Sequence, residues 1–474
     1  MNRLLIRGGL SSGGKSLRAA ADTAILLTKR TGVISQVRWE SKLSVNTSTQ
    51  KTDVSAVNES DTAALLLLRK KNPKLEVANT DRQTVRPPAI HKDHQNVDGA
   101  KFAQRPAASI RSDGQASAGT TVNGVPDLTY EEETQLDSTR AAQDEIKSEL
   151  QALLKQFKAP IRYAFAYGSG VYKQTGYGEG SKPMVDLIFA VSHPDHWHAL
   201  NISQNRPHYS FMGSLGSNAV SFVQERLGAG VYFNPFISIN GVVVKYGVVS
   251  METLSSDLLN WDTLYLAGRM HKPTLTLRRD PLMRISKQVN LTHAVRAALL
   301  MLPKNFTSEE LFQTIAKISF AGDIRMKIGG ENPQKVRNIV AAQMPLFKSR
   351  YRSIIEGLPN LEYIAGDLLQ QDMGPAARAA MLRKMPNNFY DQLVRQGRKA
   401  GVKLPPGLGA EAVNSERLVS MDEIQGMASS AIEKIVARPA LTQSLKGILT
   451  SGVAKSIAYM RAKNEKFRKA EVKK

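Results

Sequence analysis

The sequence predicts an α/β domain built on a mixed sheet, followed by an α-rich domain. Two apolar runs rich in β-branched and aromatic residues, 161–167 and 185–191, predict buried strands. Asn240-Gly241 separates two further apolar runs and is a strong signal for a β-hairpin. From residue 251 apolar residues recur at helical spacing, which predicts a helical domain over 251–358.

Length and composition limit the class of protein. The chain contains 474 residues, enough for two or three domains with their own cores. It has no cysteine, which excludes disulfides and cysteine-ligated metal centres and favours a reducing compartment. No apolar run approaches the roughly 20 residues of a membrane-spanning helix. We therefore expect a soluble or peripheral protein.

The formal net charge of +22 is concentrated at the two ends of the chain. Residues 1–42 contain eight Lys or Arg against two acids, a net charge of +6. Residues 430–474 contain eleven against three acids, a net charge of +8. Charged ends on a mildly basic body favour an enzyme over a nucleic-acid-binding protein, and no nucleic-acid partner is expected.

The first 42 residues have the pattern of a mitochondrial transit peptide. Arg3, Arg7, Lys15 and Arg18 precede the first acid and are interspersed with Leu, Ile, Ser and Gly. A basic disordered tail is the alternative. Residues 43–126 are dominated by small polar and charged residues, which predicts a disordered linker.

The domain predicted over 127–250 begins with a helix that Pro160 closes. After the second strand, a polar, His-rich stretch, 192–208, is predicted to be a loop. A helix over 209–227, a strand over 231–239 and the hairpin complete this domain. The apolar stripe of the first helix consists of Ile146, Leu150, Leu153, Leu154 and Phe157.

Four helices are predicted in the second domain, and Thr307 and Glu310 form a capping box at the start of the third. Residues 359–430 mix Gly, Pro and short helical pieces, and we assign them no function. The four predicted helices span 251–270, 281–302, 308–319 and 333–356.

The last segment, 431–474, is predicted to be a basic, membrane-binding tail with an amphipathic helix over 441–469. Lys446, Lys455 and Lys463 are among the cations that surround its apolar positions. A helix packed on the protein body and a basic disordered end are the alternatives. The excess of Lys and Arg favours an anionic lipid surface. The apolar positions are Leu445, Ile448, Leu449, Val453, Ile457 and Met460.

The candidate catalytic residues lie where the first two predicted strands end and begin. Gly168-Ser169-Gly170 follows the first strand, and such a turn lets a phosphate approach backbone N–H groups while Ser169 adds a hydroxyl. Asp186 is the single charge in the second strand, where a carboxylate is costly unless it is paired or bound to a cation. The pairing suits a phosphate together with Mg²⁺.

A Gly-Ser turn after one strand and an Asp on the next is similar to the pattern of the nucleotidyltransferase superfamily. That superfamily usually has two carboxylates two residues apart, but Ile188 takes the second position here. Lys245 stands on the hairpin where a third carboxylate would be expected. It is either a phosphate-neutralising residue or an edge-strand lysine. Asp257 and Asp323 are candidates for the missing acid, although a helix cap or an ion pair is the favoured interpretation of each.

A second group of residues looks metal-like by composition. His193, Asp195, His196 and His198 lie close together in the predicted loop. A Pro-containing loop gives them no common face, and the helix of an H-E-x-x-H site is missing. We therefore expect solvated or packing histidines.

Longer segments extend these motifs along most of the chain. They are YGSGVYKQTGYG (167–178), VDLIFAV (185–191), HYSFMGSLG (208–216), GAGVYFNP (228–235), VVKYGVVS (243–250), DLLNWDTLYLAGRMHKP (257–273), FAGDIRM (320–326) and ARPALTQSLKGILT (436–449). Together they resemble the mitochondrial CDP-diacylglycerol synthase family, also called mitochondrial phosphatidate cytidylyltransferase. The strand with Asp186-Leu187-Ile188 matches the family's own form, so the resemblance makes the missing second carboxylate a family trait.

The resemblance implies a peripheral enzyme on the matrix side of the mitochondrial inner membrane. It implies that CTP and phosphatidate react with Mg²⁺ to give CDP-diacylglycerol and diphosphate, and that the product feeds cardiolipin synthesis. It also implies a nucleotidyltransferase domain followed by a winged-helix-like domain. The family has been named as well for maintaining the mitochondrial protein-import translocase.

On this basis Gly168, Ser169 and Gly170 are expected to bind the triphosphate, Asp186 the Mg²⁺, and Lys245 to neutralise charge in catalysis. Two further candidates for phosphate binding are Lys272 and Arg325. An RNA nucleotidyltransferase and a non-catalytic protein that maintains the import machinery are the alternatives. The sequence is compatible with a homo-oligomer.

Overall fold

The computed structural model describes residues 130–172, 183–322, 334–407 and 410–451. The predicted transit peptide and linker lie outside these residues, and so do Asp323, Arg325 and the end of the tail, 452–474. Within the described ranges, no helix combines the length and the apolar character that crossing a bilayer requires.

The described chain contains a mixed sheet, as predicted, but the sheet has five strands, and the fifth, 275–278, lies inside the segment that is predicted to be helical. Its helices are α1 (Tyr130–Leu154), α2 (Pro194–Gln204) and α3 (Ser217–Arg226), and its strands are β1 (Tyr163–Tyr167), β2 (Val185–Val191), β3 (Tyr232–Ile239), β4 (Val242–Ser250) and β5 (Leu275–Arg278). The strand order is β3-β4-β2-β1-β5. Strands β2 and β4 run parallel, and the other neighbours run antiparallel.

The hairpin between β3 and β4 is confirmed. Asn240 and Gly241 have φ values of 50° and 79°, as a two-residue turn with both central residues left-handed requires. Asn tolerates this conformation better than most residues, and Gly adopts it without steric cost. The turn therefore places the two halves of the hairpin in register.

Helices cover both faces of the sheet. On one face Phe157, Phe189, Trp197 and Tyr246 form an aromatic cluster, with ring centroids 5.2 Å apart for Phe157 and Phe189. On the other face Ile188 and its neighbours pack on the helices that follow β4. Because both faces are covered, β2 is buried along its length except at Asp186, as its apolar run predicts.

The second part of the described chain is mostly helical, as predicted. It contains α4 (Met251–Asn260), α5 (Ala267–Met270), α6 (Pro281–Met301), α7 (Ser308–Ile318), α8 (Lys335–Ala342), α9 (Met344–Glu356), α10 (Pro375–Arg383), α11 (Asn387–Lys399), α12 (Glu411–Val419) and α13 (Ile424–Ser451). A small antiparallel sheet joins β6 (Asn305–Thr307), β7 (Leu361–Ala365) and β8 (Leu368–Gln371) in the order β6-β8-β7. The capping box of Thr307 and Glu310 is confirmed at the start of α7.

The predicted loop over 192–208 is wrong, because α2 occupies most of it. Pro194 stands at the start of the helix, where its fixed φ and missing N–H are favourable. Trp197, His198 and Asn201 follow at helical spacing and are buried. The polar residues that predicted a loop therefore include a buried helix face.

Three other predicted helices are shorter or divided. The helix predicted over 209–227 is a 3₁₀ turn, Phe211–Leu215, followed by α3. The helix predicted over 251–270 stops at Asn260, because Trp261 and Leu264 adopt left-handed φ values of 56° and 54°. The helix predicted over 333–356 is divided at Gln343, two residues before Pro345.

The described part of the C-terminal tail packs on the protein body. Helix α13 starts at Ile424, well before the predicted helix, and Lys446 is buried instead of facing solvent. Its Nζ donates to the backbone oxygens of Gln224 at 3.1 Å and Leu227 at 2.5 Å. These carbonyls at the end of α3 need donors, and a cation is favourable there.

Candidate active site

Three residues at paired positions on three adjacent strands project from the same face of the sheet. Asp186 on β2 is paired with Tyr167 on the antiparallel strand β1 and with Lys245 on the parallel strand β4. Directly paired residues project from the same face of a sheet. The register therefore brings a carboxylate, a phenol and an ammonium group together although 59 residues separate Asp186 from Lys245.

Lys245 and Asp186 form a partly buried ion pair. The Lys245 Nζ donates to the Asp186 Oδ1 at 3.1 Å, and the exposed fractions of the two side chains are 18% and 26%. The ammonium group also lies 4.5 Å from the ring centroid of Phe233 on β3. Strand β4 is internal to the sheet, so the interpretation of Lys245 as an edge-strand lysine is wrong.

The turn that follows β1 lies directly against Asp186. Gly168 has a φ of 82°, and a Cβ added there would stand 3.4 Å from the Asp186 Oδ2. A Cβ on Gly170 would come within 2.8 Å of the backbone at Met184 and Val185. The absence of these side chains lets the turn pass close to the start of β2 and brings its backbone beside the carboxylate. Ser169 lies in the same turn and is partly exposed.

A cation that the sequence interpretation missed lies beside this pair. Arg269 on α5 stacks on Tyr265 at 3.7 Å from the ring centroid and lies 5.7 Å from the ring of Tyr167. Among the described residues, no carboxylate forms a salt bridge with its guanidinium. Arg269 is a lone charge in the apolar run that ends at Met270, the same signal that singles out Asp186.

The phenol of Tyr167 is neutral at physiological pH. Burial, and then the Asp186 carboxylate, raise the pKa of Tyr167 to about 12. Tyr167 therefore adds a polar but uncharged group between the carboxylate and the Arg269 guanidinium.

The structure gives Lys272 partners other than the Asp186 carboxylate. Its Nζ donates to the Gly268 carbonyl at 2.8 Å and to the Ser319 Oγ at 2.5 Å, and it lies 5.0 Å from the ring of Phe320. Burial, and then the charges of Arg269 and Lys335, hold the pKa of Lys272 well below its usual value. Arg325 falls outside the described residues, so its predicted role stays a prediction.

Asp257 is a structural residue, as the favoured interpretation predicts. Its Oδ1 accepts from the backbone N–H groups of Thr263 and Leu264 at 2.8 and 2.9 Å, and its Oδ2 accepts from Leu266 and Ala267 at 3.0 Å. Both oxygens are therefore engaged. By holding this loop, Asp257 positions the segment that carries Tyr265 and Arg269.

The histidine cluster is not a metal site in the described chain. His198 is buried, and its ring nitrogens bond the Tyr209 hydroxyl at 2.8 Å and the Gln224 Oε1 at 2.9 Å. Burial lowers the pKa of His198 to about 4, and His193 and His196 are exposed. Packing and solvated histidines are thus confirmed. No group of three His, Asp or Glu side chains in the described ranges could hold a metal ion.

The donor set around Asp186 suits one Mg²⁺ held together with phosphates. Mg²⁺ is commonly bound by one or two carboxylates, with substrate phosphates and waters supplying the other ligands. Asp186 gives one oxygen to Lys245, and its other oxygen faces the turn at Gly168. The residues therefore fit a site that is completed by a polyphosphate.

Comparison with known proteins agrees with this chemistry. The model of the family described as "Phosphatidate cytidylyltransferase, mitochondrial" matches residues 150–466. The chain belongs to this family. The resemblance predicted from the sequence motifs is therefore confirmed.

Relatives from distant organisms carry the same description, mitochondrial phosphatidate cytidylyltransferase. The protein of Schizosaccharomyces pombe is 37% identical over 332 residues, which cover 68% of this chain and 84% of the relative. The protein of Xenopus laevis is 40% identical over 313 residues, 65% of this chain and 90% of the relative. The protein of Mus musculus is 38% identical over 323 residues, 67% and 94% of the two chains. The candidate site from Gly168 to Arg269 lies inside the range that the cytidylyltransferase family model matches.

Proposed function

We propose that this chain is a phosphatidate cytidylyltransferase, which transfers the cytidylyl group of CTP to phosphatidate and releases diphosphate. The observation that carries the proposal is the glycine turn lying against the register-aligned pair of Asp186 and Lys245. Membership of the cytidylyltransferase family supports it. The product, CDP-diacylglycerol, would feed cardiolipin synthesis.

The chemistry needs positioning more than proton transfer. The nucleophile is the phosphate monoester of phosphatidate, which is already ionised near neutral pH. An oxygen of this phosphate attacks the α-phosphorus of CTP, the bond to the β-phosphate oxygen breaks, and diphosphate leaves with its electron pair. Such a displacement depends on alignment and on stabilising negative charge. This agrees with a site built around cations and a turn, with His198 engaged in packing.

The residues of the candidate site have different proposed roles: binding the triphosphate, neutralising its charge and holding the metal ion. We infer that the backbone of Gly168, Ser169 and Gly170 receives the triphosphate, while Lys245 neutralises charge on the reacting phosphates. Asp186 would hold Mg²⁺, which supplies further charge neutralisation when bound. Arg269 adds a permanent cation on the same side of the sheet.

Two further residues of the predicted set stay candidates for phosphate binding. Lys272 is a candidate for phosphate binding near Ser319, and Arg325 remains a candidate on sequence grounds.

We also propose a peripheral position on the matrix side of the mitochondrial inner membrane. The relatives are described as mitochondrial proteins, and the first 42 residues have the pattern of a transit peptide. Phosphatidate stays in the bilayer, so an enzyme of this kind has to work at a lipid surface. The net charge of +6 over residues 452–474, beyond the part of the tail that packs on the protein body, supports this position.

Labelled CTP tests the proposal directly. The full chain is incubated with vesicles that contain phosphatidate, or with RNA, with and without Mg²⁺. We expect Mg²⁺-dependent label in the lipid fraction and none in RNA, and loss of product with Asp186→Asn. Label on RNA would instead support an RNA nucleotidyltransferase, and no labelled product with either acceptor would support a non-catalytic protein.

A further inference from the structure

The most exposed large apolar side chains of the described chain occur together in three neighbouring segments. Phe211, Leu215, Phe222 and Leu445 have exposed fractions of 57%, 61%, 60% and 59%. The other exposed large apolar side chains in the described ranges have fractions of 37% to 46%. Scattered exposed apolar residues are normal, but a concentration of the most exposed ones indicates an interaction surface.

The three segments are held against one another. The 3₁₀ turn Phe211–Leu215 packs on α3, which carries Phe222. Helix α13, which carries Leu445, is joined to the end of α3 by the hydrogen bonds from the neighbouring Lys446. We call these four exposed side chains on adjoining segments the apolar ledge.

The backbone under the ledge is firmly fixed. Arg206 Nη1 donates to the carbonyls of Tyr209 and Ser210 at 3.1 and 3.2 Å, and the Ser210 Oγ caps the 3₁₀ turn. Met212, Val220 and Tyr232 pack beneath it with Tyr209. The turn therefore already has a buried apolar anchor in Met212, and Phe211 and Leu215 point outwards in addition to it.

The charge of the adjoining segment indicates what covers the ledge. Helix α13 is described as far as Ser451, six residues beyond Leu445, and residues 452–474 follow. They contain eight Lys or Arg against Glu465 and Glu471, a net charge of +6. Exposed apolar and aromatic side chains in a chain whose next segment is strongly basic match an anionic lipid surface, where apolar groups enter the acyl boundary and cations attract the headgroups.

We propose that the apolar ledge of Phe211, Leu215, Phe222 and Leu445 docks the catalytic body onto an anionic bilayer. This inference rests on the proposed function in one respect, because a lipid substrate gives the enzyme a reason to bind a bilayer. It differs from the predicted tail-only anchor, since three of the four side chains belong to the first part of the chain.

The ledge is also connected to the candidate active site through β3. On α13, the Gln443 Oε1 accepts from the Ala229 N–H at 3.0 Å, and its Nε2 donates to the Val231 carbonyl at 3.1 Å. Two residues further along, Phe233 lies under the Lys245 ammonium group. Docking at the ledge would therefore hold the strand beside Lys245 in a defined position relative to the bilayer.

The test uses the full chain and vesicles of equal parts phosphatidylcholine and phosphatidylglycerol. The variant Phe211→Ser/Leu215→Ser/Phe222→Ser is compared with Ile364→Ser/Val413→Ser, which removes exposed apolar side chains elsewhere. We expect the ledge variant to lose at least about tenfold in vesicle partitioning in a co-sedimentation assay, and the control to bind as the unmodified chain does. Circular dichroism checks that each variant is folded.

A second measurement separates this inference from the proposed function. The ledge variant should keep its turnover of a short-chain, water-soluble phosphatidate and lose turnover of phosphatidate in vesicles. If the unmodified chain turned over neither substrate but bound vesicles through the ledge, the proposed function would fail and the ledge would stand. Equal vesicle binding by the ledge variant and the unmodified chain would overturn the ledge. Loss of a dimer in sedimentation equilibrium, with vesicle binding unchanged, would overturn it in favour of a second copy of the chain.

Discussion

Asp186 and Lys245 occupy paired positions on two parallel strands, and the Lys245 Nζ donates to the Asp186 Oδ1 at 3.1 Å. The pair neutralises the carboxylate in the absence of substrate, which makes a charge on a buried strand tolerable. It also places a cation and a potential metal ligand side by side, next to a turn that suits phosphate. One contact therefore serves both the stability of the sheet and the proposed chemistry.

Replacing Lys245 by Met tests both consequences. We expect turnover of CTP and phosphatidate to fall about 100-fold, because a preorganised cation at the reacting phosphates is lost. Stability should fall by about 1–2 kcal/mol, because Asp186 remains partly buried without its partner. Radiolabelled product formation and urea unfolding measure the two effects. Arg140→Met, which removes an exposed ion pair with Asp137, is the control and should change neither.

Gly168→Ala tests the glycine turn, with Gly241→Ala as a matched control. The two glycines have φ values of 82° and 79°, so each substitution should cost about 1 kcal/mol of stability. A Cβ at Gly168 would lie 3.4 Å from the Asp186 Oδ2, whereas one at Gly241 meets open space. Only Gly168→Ala should weaken CTP binding, measured by calorimetry. Equal CTP affinity in both variants would remove the turn from the triphosphate site.

Arg269, which the sequence motifs did not single out, can be tested by substitution. We expect Arg269→Gln to lower kcat/KM at least about tenfold, because a charge-assisted contact with phosphate is lost. Arg269→Lys should recover part of the activity, since it keeps the charge but not the planar group that stacks on Tyr265. Steady-state kinetics at varied CTP concentration measure kcat/KM for the unmodified chain and the two variants. A variant Arg269→Gln with unchanged kinetics would limit Arg269 to packing.

Three buried histidines predict that the protein is sensitive to acid. Burial lowers the pKa of His198 to about 4 and the pKa values of His271 and His293 to about 3. In the unfolded chain these groups bind protons near pH 6.5, so stability is full above that pH and is lost as the pH falls towards 4. Each of the three histidines should therefore lower the free energy of unfolding by about 2 kcal/mol between pH 7 and pH 5.

Chemical unfolding at a series of pH values measures how steeply the free energy of unfolding falls between pH 7 and pH 5. His198→Gln should reduce it by about one third, because one of the three groups is removed. The exposed His196→Gln is the control and should leave it unchanged. A flat stability profile between pH 7 and pH 5 would show that the three rings take up protons in the folded protein.

The sequence by itself determined the features that depend on neighbouring residues. The strands β1 and β2, the Asn240-Gly241 hairpin, the capping box at Thr307 and the glycine turn all follow from local periodicity and backbone preference. Asp186 was identifiable for the same reason, since a single charge in an apolar strand is visible without any tertiary contact. The sequence motifs shared with the family then indicated the reaction that these residues would catalyse.

Only the tertiary structure decided which distant residues meet. Strand β5 pairs with β1 across more than a hundred residues, Arg269 reaches Tyr167 from a helix between β4 and β5, and Lys446 is buried against the end of α3. Local pattern placed Lys446 on a solvent-facing side, because it registers charge but not the unpaired carbonyls of another helix. Strand register and helix docking are set by packing between segments far apart in the chain, and that free energy does not appear in any local stretch of sequence.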